Sequence, residues 1–137
     1  MTRCIGTWVA LTAALILTTA ALADDLVDAD SLLCSTGQAV VCSAEVICES
    51  APSWILDIPQ FIIVDLKART LSTTPASGEN RSTPVKNMER SNDHLILQGA
   101  EEGHGWDMAI STKTGEMRAS MVGEAVSLLM SGTCTAL

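Results

Sequence analysis

Four cysteines, Cys34, Cys42, Cys48 and Cys134, are the side chains whose type and spacing could most readily do chemistry. That chemistry is oxidation to disulfides. The run Cys34-x7-Cys42-x5-Cys48 is followed by an 85-residue gap to Cys134. No C-x-x-C occurs, so neither a redox-active dithiol nor a zinc ribbon is signalled. Four cysteines allow three pairings. The expected pairing is Cys42–Cys48 as a local staple and Cys34–Cys134 as a clasp between the first and last strands. In the chain-entropy picture a closed loop near 100 residues is worth about 4–5 kcal/mol and the short loop roughly 2. The clasp should therefore matter more to folding.

Other candidate groups are sparse. The two histidines are His94 and His104. A hairpin turning near Glu102 pairs Gly99 with Gly105 and His94 with about Ile110. At about 3.3 Å per residue the histidines then stand roughly 15–20 Å apart, too far to share a metal or a proton relay. His94 reads as a surface residue. His104, beside Glu101 and Glu102, could clip a cation but reads as part of a solvated turn. The adjacent carboxylates Asp24-Asp25 and Glu101-Glu102 point apart. Glycosidase chemistry needs two carboxyls facing each other about 5–10 Å apart. Ser127 and Ser131 lack a G-x-S-x-G context. Gly99, Gly103 and Gly105 match neither a phosphate loop nor a dinucleotide fingerprint. Asn80-Arg81-Ser82 is formally a glycosylation sequon, relevant only in a eukaryotic secretory host. No catalytic residue, metal ligand or cofactor is assigned, and the chain is not expected to be an enzyme.

The elements that would position any site begin after a leader. Arg3 supplies a basic start, Ile5 to Leu22 is apolar, and Ala21-Leu22-Ala23 is an A-x-A site followed by Asp24-Asp25. Residues 1–23 therefore read as a cleaved secretory signal peptide. The alternative is an uncleaved anchor, since about 18 apolar residues is the lower edge of a membrane span. Thr7, Thr12, Thr18 and Thr19 dilute that stretch, and no basic cluster follows it. Cys4 precedes the apolar run and cannot be a lipid-modified cysteine at the cleavage point. The remaining 114 residues, 24–137, read as one disulfide-stabilised domain with a periplasmic or secreted address. Loss of Arg3 leaves 7 basic against 16 acidic residues, a net charge of −9. Such a chain is repelled by phosphate backbones, so nucleic acid is excluded as a partner, and attraction to anionic lipid is weak.

The pattern along 24–137 is one of strands and turns. Residues 24–30 form an acidic lead-in, read as flexible. Ser31 to Thr36 and Ala39 to Ile47 read as two short strands around Gly37. Glu49 to Pro59 reads as an irregular loop, Phe61 to Asp65 as a β-branched strand, and Thr70 to Thr74 as its return. Arg81 to Met88 is a weak edge strand interrupted by Pro84. His94 to Gly99, Trp106 to Ser111 and Met117 to Met121 alternate with period two, and Thr112 to Gly115 is a hairpin loop between the last two. The final segment, Val126 onward to Cys134, reads as a strand, with a short helix over Glu124 to Met130 as the alternative. The fold class is all-β: a small antiparallel meander or barrel of about seven or eight short strands.

Beyond residue 23 the aromatics are Trp54, Phe61 and Trp106, with no tyrosine. Trp106 reads as core, and Met108, Met117, Met121 and Met130 as a soft core around it. Trp54, between Pro52 and Pro59, is either an exposed anchor or a cap on one end of the barrel.

Leu95-Ile96-Leu97-Gln98-Gly99, Trp106 to Ile110, Thr114-Gly115-Glu116-Met117 and Gly132-Thr133-Cys134 together resemble a group of small exported proteins of Gram-negative bacteria. These share an early cysteine, an L-Q-G turn, a T-G hairpin and a closing cysteine. The resemblance implies a periplasmic β domain and no activity. The layout is also distantly similar to periplasmic lysozyme-inhibitor barrels, which carry a serine-glycine-x-x-tyrosine loop. Gly103-His104-Gly105-Trp106 is not that motif.

The leading expectation is a monomeric, non-catalytic binding module of the cell envelope, meeting a protein partner through residues 50–60 or 100–105. Trp54, Glu101, Glu102 and His104 are the candidate contacts. The alternatives are a carrier holding a small apolar ligand in the barrel, and a lysozyme-inhibitor-like function. Interior volume separates the first two: if Trp106, Met108, Met121 and Met130 fill the centre, no ligand fits.

Overall fold

The computed structural model describes residues 26–43, 45 and 47–137. The leader expected over residues 1–23 lies outside them, as does Asp24-Asp25. Ten antiparallel strands make up one sheet curled into a half-barrel. They are β1 (Ser31–Ser43), β2 (Cys48–Pro52), β3 (Phe61–Asp65), β4 (Thr70–Thr73), β5 (Ser82–Pro84), β6 (Asn87–Arg90), β7 (His94–Glu101), β8 (His104–Ser111), β9 (Glu116–Val122) and β10 (Val126–Ala136). Nine of them run in the order β5-β4-β3-β1-β10-β9-β8-β7-β6, and β2 adds to β1 off that path. The all-β antiparallel reading holds, with ten strands rather than seven or eight. The final segment is strand, not helix.

The strands missed or divided by sequence reasoning have identifiable causes. Residues 31–43 form one strand, because Gly37 and Gln38 make a bulge and do not end it: pairing to β10 slips between Thr36 and Ala39. The start of the loop expected over Glu49 to Pro59 belongs instead to a strand, Cys48–Pro52, paired to the second half of β1 with Cys42 opposite Cys48. β3 takes the first half of the same edge, from Ser31 opposite Asp65 to Ser35 opposite Phe61. Pro84 divides residues 82–90 into β5 and β6, as expected of a residue with no amide hydrogen. Val85 and Lys86 join these two strands. The Val85 amide donates to the Arg69 carbonyl beside β4, and the Lys86 amide to the Gln98 carbonyl of β7, each at 2.8 Å. This short segment thus crosses from one edge of the sheet to the other and forces the curl.

Both disulfides join residues directly opposed in neighbouring strands. Cys34–Cys134 links β1 to β10, and Cys42–Cys48 links β1 to β2. These are the two pairings expected from the spacing.

One end of the half-barrel is packed. Leu32, Val64, Leu66, Leu95, Ile110 and Met117 belong to a single buried cluster there. Leu26 joins it at 2% exposure. Residues 24–30 were expected to be flexible, yet Leu26–Asp28 is a 3-10 turn held to the sheet. The Leu26 amide donates to the Thr112 carbonyl at 2.9 Å, and Arg90 donates to the carbonyls of Val27 and Ala29. An apolar side chain among acids has a hydrophobic surface to reach, and reaching it outweighs the polar composition around it.

Candidate functional site

The other end is open. Successive strands in antiparallel register bring every second residue to the same face, so inward residues fall into layers. One layer runs Leu97–Met108–Ala119–Met130–Ala39 across β7, β8, β9, β10 and β1. The next runs Gly99–Trp106–Met121–Leu128–Val41. From the second layer outward the side chains no longer meet at the centre. They leave a cavity of about 460 Å³. Its walls include Trp106, Met108, Ala119, Met121, Leu128, Met130 and Val41, then Ile62, Leu71, Thr73 and Thr83 from β3, β4 and β5. Small-molecule sites fall in the range of about 300–1,000 Å³ and are mostly apolar with a few placed polar groups.

Trp106 and the methionines were expected to fill the core. Only part of that set does. Met108 and Met117 are buried, whereas Trp106, Met121 and Met130 are half-buried around the cavity. The reason lies at Gly99. It stands opposite Trp106, and a Cβ there would be 2.3 Å from indole Cζ2. The indole therefore occupies the space over the glycine, against β7, and does not fill the cavity it lines.

A further wall comes from the segment 53–60, through its residues 56–59. Thr36 and Ser53, both buried, fix it. Thr36 Oγ1 donates to the Pro59 carbonyl at 2.7 Å and sits 2.9 Å from Ser53 Oγ. The Thr36 amide donates to Gln60 at 2.9 Å. This polar knot lies where β1 changes partner from β3 to β2, and it holds Leu56, Asp57, Ile58 and Pro59 against the cavity. Trp54 and Ile55, in the same segment, project outward at 57% and 67% exposure.

The four residues proposed as contacts are only partly brought together. Glu101, Glu102 and His104 share the β7–β8 hairpin. Its turn is Glu102-Gly103, with φ of 49° and 82°, and Glu101 pairs with His104. This two-residue turn puts Gly99 opposite Trp106 and His94 opposite Ser111, one position away from the pairing expected from sequence. Glu101 lines the cavity mouth. Glu102 is exposed, and His104 packs over Gly123, whose added Cβ would fall 2.3 Å from His104 Cδ2. Trp54 lies on the separate 53–60 segment. The two segments share the cavity mouth and no residue-to-residue bond.

The polar groups at the mouth are mostly spoken for. Arg81 pairs with Glu79 at 2.8 Å and donates to the Asp57 carbonyl at 3.3 Å. Ser120 donates to Asp107. Two buried side-chain atoms among the described residues have no partner within the protein, Thr83 Oγ1 and Trp106 Nε1. Both residues line the cavity. Sequence reasoning missed Thr83 because Pro84 made its strand look weak, and it missed the cavity because a filled and a hollow barrel carry the same alternation. Among the described residues no group of three or more His, Cys, Asp or Glu could hold a metal ion, and no helix is long and apolar enough to cross a membrane.

Comparison with protein-family models, with curated proteins and with solved structures finds no match to this chain. Its functional reading therefore rests on the geometry above.

Proposed function

We propose that this protein is a non-catalytic carrier of a small, largely apolar molecule, bound in the open end of the half-barrel. The observation that carries the reading is the cavity of about 460 Å³ walled by Trp106, Met121, Leu128, Met130, Val41 and Ile62. At about 30 Å³ per molecule it has room for roughly fifteen waters. Exchanging that water for an apolar ligand removes apolar wall from solvent, at about 25 cal/mol per Å². Methionine suits such a wall because its unbranched chain adapts to differing shapes. Two disulfides and the sequence of residues 1–23 fit work in the periplasm or outside the cell.

A protein-binding role is the second reading. Trp54 and Ile55, exposed beside the cavity mouth, are the observation in its favour. In that case the open end would be a socket for a partner's side chain.

N-phenyl-1-naphthylamine, a neutral apolar dye, tests the carrier reading. The full chain, expressed with its own leader in a bacterial host, should enhance dye emission saturably with one site per chain. Ala119→Phe and Thr73→Phe, which add bulk on different walls, should each weaken binding at least ten-fold while near-native strand content is retained. No saturable binding, or binding unchanged in both folded variants, overturns it.

A further inference from the structure

We infer that the Cys42–Cys48 disulfide is a site of thiol–disulfide exchange, opened by a dithiol that attacks Cys48, while Cys34–Cys134 is closed to that chemistry. The inference goes beyond the carrier reading and does not depend on it. It rests on where the two bonds sit. Cys34 and Cys134 are 0% and 5% exposed and belong to the buried cluster. A thiolate reaches that bond only if the interior opens. Cys48 is exposed and Cys42 half-buried, so the second bond lies at the surface. Exchange depends on access to the sulfur, and exposed disulfides are the labile ones.

The fold also decides which sulfur is attacked. Displacement at sulfur runs in line with the S–S bond, and this bond spans β1 and β2. Among the described residues β2 pairs with β1 alone, so the free edge of the sheet lies beyond Cys48. On the far side of Cys42 stands β10, with Ser127 opposite Cys42. The nucleophile therefore meets Cys48, and Cys42 is the leaving group.

The step balances as a two-electron reduction. A thiolate of the dithiol bonds to Cys48 Sγ, the Cys42–Cys48 bond breaks, and Cys42 leaves as a thiolate that takes up a proton. The second thiolate of the reductant then attacks its own sulfur in the mixed disulfide. The dithiol departs as an internal disulfide, and Cys48 is released and protonated. The two protons are those the dithiol gave up. The chain is the electrophile throughout, so no C-x-x-C is needed. Once the bond is open, β2 is held by its ladder to β1. Its loosening stops at Ser53, which Thr36 holds. The edge of β1 from Gln38 to Cys42 is then uncovered, while the clasp and the packed end stay in place.

The test treats the oxidised protein, made with its own leader in a bacterial host, with graded dithiothreitol. Iodoacetamide quenches the reaction, and mass spectrometry maps the alkylated cysteines. Cys42 and Cys48 should be alkylated about a hundred-fold faster than Cys34 and Cys134. Strand content should stay near native, with faster hydrogen exchange confined to β2. With cysteamine, a monothiol, the trapped adduct should sit on Cys48 and the alkylated thiol on Cys42. Proteolysis after Glu45 separates the two. Cys42→Ser/Cys48→Ser should show no thiol over the same range of dithiothreitol. The inference is overturned if the two bonds open together, if neither opens before strand content is lost, or if adducts divide evenly between Cys42 and Cys48. None of these readouts uses the dye, so the carrier reading stands or falls separately.

Discussion

Gly99 and Trp106 face each other across β7 and β8, and the indole occupies the space that any side chain at Gly99 would need. This pairing decides whether the barrel is full or hollow. Gly99→Ala would put a Cβ 2.3 Å from the ring and 2.8 Å from the Pro84 carbonyl. The ring must then swing toward the cavity. The expected cost is about 1–3 kcal/mol, the usual range for overpacking. Thermal melting and the emission of Trp106 in a Trp54→Phe background would read it, with dye binding lost in parallel.

The two disulfides should contribute unequally. Cys34–Cys134 closes a sequence separation of 100, and Cys42–Cys48 one of 6. On the chain-entropy model the first is worth about 4–5 kcal/mol and the second roughly 2. Total stability of a domain this size is about 5–15 kcal/mol. Urea titration of Cys34→Ala/Cys134→Ala should therefore find a protein at the edge of folding. Cys42→Ala/Cys48→Ala should remain folded, with the attachment of β2 loosened.

Leu26 closes the packed end. Leu26→Ala removes a side chain that is 2% exposed and should cost about 2–4 kcal/mol. Hydrogen exchange should show the amide of Leu26, bound to Thr112, losing protection ahead of the β8–β9 ladder.

Two exposed ion pairs set a small pH dependence at opposite extremes. Lys113 holds the Asp93 carboxyl below the usual carboxylate range, first through their hydrogen bond and then through its charge. A depressed folded value gives stability that is present above the unfolded value, about pH 4, and is lost as pH falls through the folded one. Asp30, 2.6 Å from Lys67, raises the lysine in the same two ways. That contribution is present below the unfolded value, about pH 10.4, and disappears as pH rises through the folded one. Asp93→Asn should flatten the acid limb and leave the alkaline limb alone. Solvent screening keeps both effects small.

Much of this architecture was legible in the chain. Residues 94–122 alternate with period two, so β7, β8 and β9 could be read directly. The turn between β7 and β8 was placed half a residue off, because Glu102 and Gly103 both adopt positive φ and make a two-residue turn centred between them, and nothing in a glutamate signals that conformation. β2 was invisible: Cys48-Glu49-Ser50-Ala51-Pro52 has no apolar alternation, and its pairing comes from β1 and a disulfide. The cavity was illegible for a different reason. Trp106, Met121 and Met130 would carry the same pattern in a filled barrel, and only the direction in which the indole lies over Gly99 separates the two.

Titrating 15N-labelled protein with N-phenyl-1-naphthylamine, while following the two indole N–H resonances of the folded domain, tests the hollow end most directly. The Trp106 signal, assigned through Trp106→Phe, should shift progressively and saturate with the dye. A dye that binds yet moves only the Trp54 signal, leaving Trp106 untouched, would place the ligand on the outer surface and contradict the account.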